Sequence, residues 1–410
     1  MDFNLTKTTK KIEYNTSNNA ASRSILKYDL KRWEREDICS SLYIKPAEPV
    51  NDTALLPPST EVAGLFPSSD QYYLLFPSFG TVVNNEVNIE VVGLALDPLP
   101  KLGKSAFIEL ANSVVSLVMN RPLSADETSL FKNTVNQFLF IQSPFHKVQL
   151  RVNEKTVNLG RTSLGGTFEK SVSIGRDNGN TKAVYNIEDS SDDTVVGEVY
   201  ISPNTGFGII SDIDDTIKFS EVLNKKNLFK NTFLAESKST PDSAEVYQYL
   251  KNLLNPSFHY LSGTPQVLLP NIRKFLKNSQ FPEGHINLRE LAILDGSVFE
   301  LADANSTEDY KRNAGLKIVE KLNKKKFLLI GDSTEKDPEA YGEIARRNPQ
   351  NILCIFIRRV IGVNAEKEKD LNADARFQNA FRDIDNSKIF IFDDFTQLKT
   401  LDIKNGQCKN

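Results

Sequence analysis

The run Gly208-Ile209-Ile210-Ser211-Asp212-Ile213-Asp214-Asp215-Thr216-Ile217-Lys218 constrains this chain most, because a short apolar stretch stops abruptly there at three carboxylates and a threonine. Ile209 and Ile210 read as the end of a buried strand, and the acidic cluster as the turn leaving its C-terminal edge. In open α/β sheets ligands bind at that edge, so the run predicts a sheet and a site together. A carboxylate can attack phosphorus to form an acyl phosphate, and a second carboxylate two residues on can protonate the leaving oxygen. Asp212 and Asp214 stand at that spacing. So many anions at one strand end also invite a hard divalent cation, Mg²⁺ above all, which neutralises both them and a phosphate. A solvated acidic turn is the plainer alternative, since Asp is common in turns. Asp383-Ile384-Asp385-Asn386-Ser387, similar but with no apolar strand in front, reads as such a turn.

From Gly208 onward strand-like and helix-like segments alternate, which predicts a mainly parallel sheet covered on both faces, a doubly wound α/β domain over residues 206–402. Its expected elements are a helix near 246–254, a strand at 258–261, a helix at 271–276, an irregular stretch from 281 to 303, a helix at 311–322, a strand at 327–330, a helix at 338–347, and strands at 352–357 and 389–392. Residues 403–410 read as a tail. Upstream, 59–205 reads as a β-rich, sandwich-like domain with a helical insertion. Its strands begin at 72–76 and 87–91, and Val148, Leu150, Val152, Val172, Ile174, Val184, Val199 and Ile201 are its expected inward positions. Ser124-Ala125-Asp126-Glu127 is a capping box ahead of Leu130, Phe131, Phe138 and Leu139. Residues 1–58 form a polar arm, with Trp33 as its expected anchor.

With 410 residues, 40% of them hydrophobic, the chain exceeds one ordinary core. A net charge of −3 argues against a nucleic-acid binder working through bulk electrostatics. Three cysteines, Cys39, Cys354 and Cys408, are odd in number and far apart, which fits a reducing compartment better than a disulfide framework. Residues 1–19 are followed by no apolar core of a secretory signal, although a secretion route without one stays open. The stretch 106–119 is interrupted by Glu109, Asn112, Ser113 and Ser116, and reads as an amphipathic helix packed on its domain rather than a membrane span. The expected location is cytoplasmic, with peripheral contact at membranes left open.

Further parts of a phosphate site stand at later strand ends. Tyr260-Leu261-Ser262-Gly263-Thr264-Pro265 puts a hydroxyl directly after a strand, with Gly263 letting backbone approach an anion closely. Ser262 can bond a phosphoryl oxygen, or act only as a helix N-cap. Ile330-Gly331-Asp332-Ser333-Thr334-Glu335-Lys336-Asp337 again ends an apolar strand in carboxylates. Asp332 can complete a metal's oxygen shell with Asp212 and the carbonyl of Asp214, while Asp337 can hold that loop or a coordinated water. Asp337 also suits a helix N-cap before Pro338. Lys311, opening the helix that leads to the Asp332 strand, can balance the charge of nucleophile and phosphoryl group, and Thr216 is a further substrate-binding candidate.

In this order the Asp-x-Asp-x-Thr, the strand-end Ser, the Lys and the Gly-Asp-x-x-x-x-Asp resemble the haloacid dehalogenase superfamily of aspartate-nucleophile phosphatases. Residues 210–218, 260–265 and 329–333, with Lys336-Asp337-Pro338-Glu339-Ala340-Tyr341 and Ile357-Arg358-Arg359, are similar to the fungal actin-patch phosphatidate phosphatase family and its bacterial relatives. The resemblance covers about 205–365 well. Phe79-Gly80-Thr81 and Gly166-Thr167-Phe168 resemble the family's N-terminal part more weakly. It implies Mg²⁺-dependent removal of phosphate from phosphatidate, giving diacylglycerol. It also implies that Asp212 is nucleophile and Asp214 general acid and then base, that Ser262 and Lys311 bind phosphate, and that Asp332 holds the metal. Two departures stand beside the motifs. Ser262-Gly263-Thr264-Pro265-Gln266 replaces the family's Ser-Asn-Ser-Pro-Trp, and Tyr310 stands where a His usually precedes the lysine.

Three functions follow for testing: a phosphatidate phosphatase, a phosphatase of a soluble or protein-borne phosphate, and a scaffold without catalysis that binds lipid or cytoskeletal partners. The intact carboxylate set speaks against the third. Protein partners are not legible, and no nucleic-acid partner is expected. For a lipid substrate the segment 281–303, with Phe281, Ile286, Leu288 and Leu291, is the expected apolar rim, and Arg289 the cation within it. Ordinary packing of these residues inside the domain is the alternative.

Overall fold

The computed structural model describes residues 72–99, 101–153, 155–188, 195–290 and 304–409. The polar arm, Trp33 and Leu291 lie outside the described residues. Strands β1 (Tyr72–Leu75), β2 (Ser78–Val83) and β3 (Glu86–Pro98) are followed by helices α1 (Lys101–Met119) and α2 (Ala125–Asn136). The chain then returns to strands: β4 (Phe140–Gln142), β5 (Lys147–Val152), β6 (Lys155–Arg161), β7 (Thr167–Arg176), β8 (Lys182–Ile187) and β9 (Val196–Pro203). These form one hydrogen-bonded nine-stranded sheet, ordered β1-β3-β2-β9-β8-β5-β6 with β4 and β7 also on β3. The long β3 carries four partners because its thirteen residues outlast each of them. Inward residues such as Ile89, Val91, Val148, Leu150 and Val199 share one core, each burial worth roughly 1.5–3 kcal/mol. Val184 is a correction. It is 53% exposed, and Tyr185 and Ile187 point inward instead, because Gly197 on the neighbouring strand leaves room for the Tyr185 ring.

The second sheet opens with β10 (Phe207–Asp212), after which come α3 (Lys225–Phe233), α4 (Ser243–Leu254), β11 (Ser257–Pro265), α5 (Leu269–Asn278), β12 (His285–Arg289), α6 (Ala304–Lys321), β13 (Lys326–Asp332), α7 (Asp337–Arg347), β14 (Ile352–Arg358), α8 (Ala365–Leu371), α9 (Asp374–Ala380) and β15 (Ile389–Phe392). All six strands are parallel, in the order β12-β11-β10-β13-β14-β15. Their side chains alternate between two cores. Ile209, Leu328, Ile330 and Phe356 pack with Val246, Leu250, Ile272 and Phe275 of α4 and α5. On the opposite face Ile210, Leu329, Ile355 and Ile357 pack with Val319, Tyr341 and Ile344 of α6 and α7. A strand buried on both sides carries no polar alternation until it ends, which is why the carboxylates appear so abruptly in the sequence. The sheets also pack on each other: Leu74, Phe76, Leu94 and Leu96 join the first of these cores, and the Ile286 amide donates to the Pro77 carbonyl at 2.9 Å.

The structure alters four expectations here. The stretch from 281 is not irregular throughout, since β12 forms an edge strand in it, and Phe281, Ile286 and Leu288 are buried in the core rather than displayed as a rim. Lys311 lies in the middle of α6 rather than opening it. Lys336, not Asp337, occupies the N-cap of α7, with Asp337 in the first helical turn. Cys354 and Cys408 are joined in a disulfide, Cα–Cα 5.5 Å, because the segment after β15 runs beneath the sheet with Leu398, Leu401 and Ile403 in the same core. The argument for a reducing compartment loses its premise with that pair, and Ile403 and Cys408, read as tail, are buried. Among the described residues no helix is long and apolar enough to cross a membrane. The capping box at Ser124 and Glu127 is formed, and the stretch expected as a turn at 383–387 begins in turn and bend at Asp383 and Ile384 and passes into a short 3-10 helix, Asn386–Lys388.

Candidate active site

β10 sits between β11 and β13, so residues at their C-terminal ends converge. Asp212 ends β10, fully buried, and its Oδ2 has no hydrogen-bond donor. Its Oδ1 lies 2.6 Å from Nζ of Lys311. That ammonium, reached from the middle of α6, is also 2.8 Å from Oε2 of Glu335 and 2.5 Å from Oδ1 of Asp337. Burial works against the lysine's charge, yet Asp212, Asp337 and Glu335 together raise its pKa well above the ordinary value. The carboxylates are raised in turn: Asp212 by burial and by Asp337, Glu335 by burial, and Asp337 by burial to about 7, against the pull of Lys311. With one cation among several buried carboxylates, the cluster relieves its surplus charge either by taking up protons, as the raised values show, or by binding a compensating cation.

Asp332 ends β13 and accepts from the Thr334 amide at 2.5 Å, from the Thr334 hydroxyl, and from Thr216 Oγ1 at 3.2 Å. Its own amide donates to Asp337 Oδ2 at 3.0 Å. Gly331 is required here, because a Cβ would stand 2.6 Å from that same Asp337 oxygen. One oxygen each from Asp212, Asp332 and Asp337 lies within 4.8 Å of the others. Oxygen donors alone, with Oδ2 of Asp212 free of any hydrogen bond, fit a hard divalent cation. Asp337 joins the two carboxylates that the sequence assigned to a metal; the third oxygen expected there, the backbone carbonyl of Asp214, is not a side-chain member of this cluster.

Asp214 faces the other way. Its Oδ1 accepts from Ser220 Oγ at 2.6 Å and Lys218 Nζ at 3.1 Å, and its Oδ2 from Ser262 Oγ at 2.6 Å and Thr264 Oγ1 at 2.9 Å. Burial disfavours its charge, but Lys218 and the hydroxyls outweigh burial and hold its pKa below the usual carboxylate range. The Ser262 hydroxyl, expected at a phosphoryl oxygen or as a helix N-cap, donates here to Asp214, with the Thr264 amide donating to it at 2.9 Å. The neighbouring Asp215, in left-handed backbone at φ 55°, accepts from the amides of Ser220, Glu221 and Val222 and so folds the loop that brings Ser220 to Asp214.

Several contributors escaped the sequence reading. Glu335 stood as an unassigned position inside a quoted motif, and Lys218 and Ser220 followed another. Arg376, on α9, carries no local signal at all. It donates to the Ser333, Glu335 and Leu371 carbonyls at 2.6, 2.6 and 2.8 Å and doubly to Glu339 at 2.9 Å, binding the loop between Asp332 and Asp337. Arg289 ends β12, buried, opposite Pro265 in register. Tyr310 donates to Asn287 Oδ1 at 2.6 Å. Gly263 lines a cavity beside Asp214.

Residues 207–359 match the family model described as the catalytic domain of phosphatidate phosphatase APP1. An uncharacterized protein of Schizosaccharomyces pombe is 32% identical over 182 residues, which is 43% of this chain and 29% of that protein. Phosphatidate phosphatase APP1 of Saccharomyces cerevisiae is 35% identical over 162 residues, 39% of this chain and 27% of that protein. The matched stretch therefore spans less than a third of either relative's length. The strand-end carboxylates, Lys311 and the Asp332 loop all lie within the residues, 207–359, that are similar to that catalytic domain.

Proposed function

We propose that residues 206–402 form a haloacid dehalogenase-like phosphatase that removes phosphate from phosphatidate, leaving diacylglycerol, through an aspartyl phosphate on Asp212. The observation that carries this reading is the state of Asp212: buried, with Oδ1 held 2.6 Å from the Lys311 ammonium and Oδ2 accepting no hydrogen bond. A buried carboxylate oxygen left without a donor is costly, and a nucleophile must keep a lone pair available. Lys311 holds Asp212 in place and offers a positive charge to the phosphoryl oxygens as the P–O bond to the leaving alcohol breaks. Asp214, ionised and held by Lys218, Ser220, Ser262 and Thr264, is set as it stands for the second half of the cycle, in which it takes a proton from the water that frees phosphate from Asp212. In the first half it gives a proton to the leaving oxygen, which requires that the substrate's own charge draw Lys218 away from it. Asp212, Asp332 and Asp337 would hold Mg²⁺, which when bound neutralises phosphoryl charge. The phosphatidate phosphatase name of a relative 35% identical over the matched residues supports the lipid substrate.

The test is phosphate release from phosphatidate in mixed micelles, lysophosphatidate and glycerol phosphate, with Mg²⁺ and with excess EDTA. Phosphatidate is expected to be hydrolysed fastest, with activity lost in EDTA and restored by Mg²⁺. Glycerol phosphate turned over at least as efficiently would leave the phosphatase and remove the lipid. Full activity in EDTA would remove the metal.

A further inference from the structure

Two loops of the nine-stranded sheet hold apolar side chains out to solvent. Leu164, in the turn between β6 and β7, is 77% exposed, and Phe145, in the connection from β4 to β5, is 58% exposed. The loops are braced together: the Phe145 amide donates to the Thr162 carbonyl at 3.3 Å, the Thr162 amide to the His146 carbonyl at 2.8 Å, and the Thr162 hydroxyl to the Ser143 carbonyl at 2.7 Å. Phe145 also sits in left-handed backbone at φ 57°, where a bulky side chain is disfavoured. The other described non-glycine residues at positive φ are Asn, Asp, Glu and Gln, so Phe145 is the apolar exception. Exposed as it is, its ring gains little from the core to offset that strain, and such an outlier points to a use outside the chain.

The turn from Ser163 to Gly166 rests against the α/β domain, since a Cβ on Gly165 would collide with the carboxylate of Glu290, the residue directly after β12. All six strands of that sheet run parallel, so this is the end at which Asp212 and Asp332 stand. Phe219, beyond β10, and Ile361, beyond β14, are exposed at that end as well. Beneath the two loop tips Lys147 and Arg161, both exposed, lie opposite each other in the β5–β6 register. Like charges directly opposite destabilise a strand pair. Arg161 donates to the Phe145 carbonyl at 2.7 Å, and no described carboxylate pairs with either cation. We infer that these loops dock on an anionic lipid bilayer, with Phe145 and Leu164 entering the apolar layer and Lys147 and Arg161 meeting the headgroups. Two separate projecting side chains with cations beneath them suit a fluid layer, whereas a shaped protein surface needs roughly 1,000 Å² of fitted contact. The docking surface stands independently of the phosphatase reading, and it would bring the site of that reading to the bilayer.

The experiment measures co-sedimentation of the full chain with vesicles of phosphatidylcholine alone or of an equimolar mixture with phosphatidylserine, in excess EDTA so that neither metal-dependent turnover nor cation bridging contributes. Binding to the mixed vesicles is expected to exceed binding to the neutral ones by about tenfold or more, and to weaken with salt. Phe145→Asn with Leu164→Ser, which gives position 145 a residue that tolerates left-handed backbone, should lower that binding by about tenfold. Lys147→Ser with Arg161→Ser should bring it down to the neutral level. Both pairs should keep the wild-type melting temperature and, with Mg²⁺, turn over soluble p-nitrophenyl phosphate within about twofold of wild type. Wild-type binding in the Phe145 and Leu164 variant, or no preference of the wild type for anionic vesicles, overturns the inference. So does sedimentation of the wild type without vesicles that this variant loses, which would assign the loops to a second copy of the chain. A chain that binds the vesicles as expected but releases phosphate from no phosphomonoester overturns the phosphatase reading and upholds the docking surface.

Discussion

The two ends of the six-stranded sheet hold buried titratable groups in opposite ways. Near the start of β11 and β12, His259 and His285 face each other at 3.3 Å between their Nδ1 atoms, with Ser257 Oγ 3.0 Å from His259 Nε2 and the Phe79 ring of the other sheet set edge-on to both. Burial pushes both imidazoles down, His285 to about 3, so the pair is neutral and satisfied within itself. At the far end of the same sheet, Lys311 is shared by three carboxylates and Oδ2 of Asp212 accepts no hydrogen bond. A seam that receives nothing is built from neutral groups that bond one another. An edge where several carboxylates crowd one ammonium carries charge in surplus, the arrangement expected where a charged ligand binds.

That contrast is most easily broken at Asp212. Asp212→Asn removes the proposed nucleophile and should lower phosphate release by about 10⁴-fold or more. It also removes one member of an overcrowded anion cluster, so in metal-free buffer the variant should melt no lower than wild type. Wild-type turnover would end the proposal, and a melting point lower by several degrees would make Asp212 a structural residue. Asp214→Asn should behave differently on both counts. Turnover of phosphatidate should fall by roughly 10²–10⁴-fold, with partial recovery for p-nitrophenyl phosphate, whose leaving oxygen needs little protonation. The melting point should fall, because Lys218 then faces an amide in place of a carboxylate. Equal losses on both substrates would argue that Asp214 is no proton donor.

The strand ends were the legible part. Asp212 and Asp332 follow apolar runs that need no partner strand to be recognised, and Ser262 and Lys311 fall at spacings that a parallel sheet explains. What stayed hidden depends on long-range packing. β12 is five residues of alternating character, His-Ile-Asn-Leu-Arg, too short to stand out, so Ile286 and Leu288 passed for a rim until the core was seen to cover them. α3 has three lysines and clusters its apolar residues at Leu228, Phe229 and Phe233, a weak helical pattern whose stability comes from α1 and α2. The pairing of Cys354 with Cys408 follows from where the C-terminal segment runs, which no spacing encodes. Arg376 reaches back across some forty residues to a loop it does not neighbour in sequence.

Arg376 offers a finer cut of the charged edge, because it touches the Asp332–Asp337 loop through backbone carbonyls and Glu339 rather than through the carboxylates. Lysine has neither the planar fork nor enough donors to replace it. Arg376→Lys should therefore loosen the loop, raising the Mg²⁺ concentration needed for half-maximal activity by about tenfold, while KM for phosphatidate at saturating Mg²⁺ stays within about twofold. Metal-free melting should fall only slightly. An unchanged Mg²⁺ requirement would show that the loop holds its shape without the guanidinium.

The smallest effect belongs to the neutral end of the sheet, and it appears as pH-dependent stability rather than as activity. His259 and His285 have pKa values depressed by burial, with Lys325 near the first and Lys317 near the second adding to the depression. Between the unfolded value of about 6.5 and the folded one, the unfolded chain binds more protons than the native chain, so stability rises with pH across that window. The contribution is complete above pH 6.5 or so and is lost progressively as pH falls, at up to roughly 1.4 kcal/mol per pH unit for each imidazole. Replacing one imidazole alone would leave the other without its partner, so the useful variant is His259→Phe with His285→Leu. Asp214, whose pKa is also lowered, makes both proteins acid-sensitive, and the pair's share is the difference between them. Wild type should lose melting temperature more steeply from pH 6.5 to 4.5 than the double variant does. Equal slopes would mean that the seam admits charge as readily as the edge does, and the contrast between the two ends would not hold.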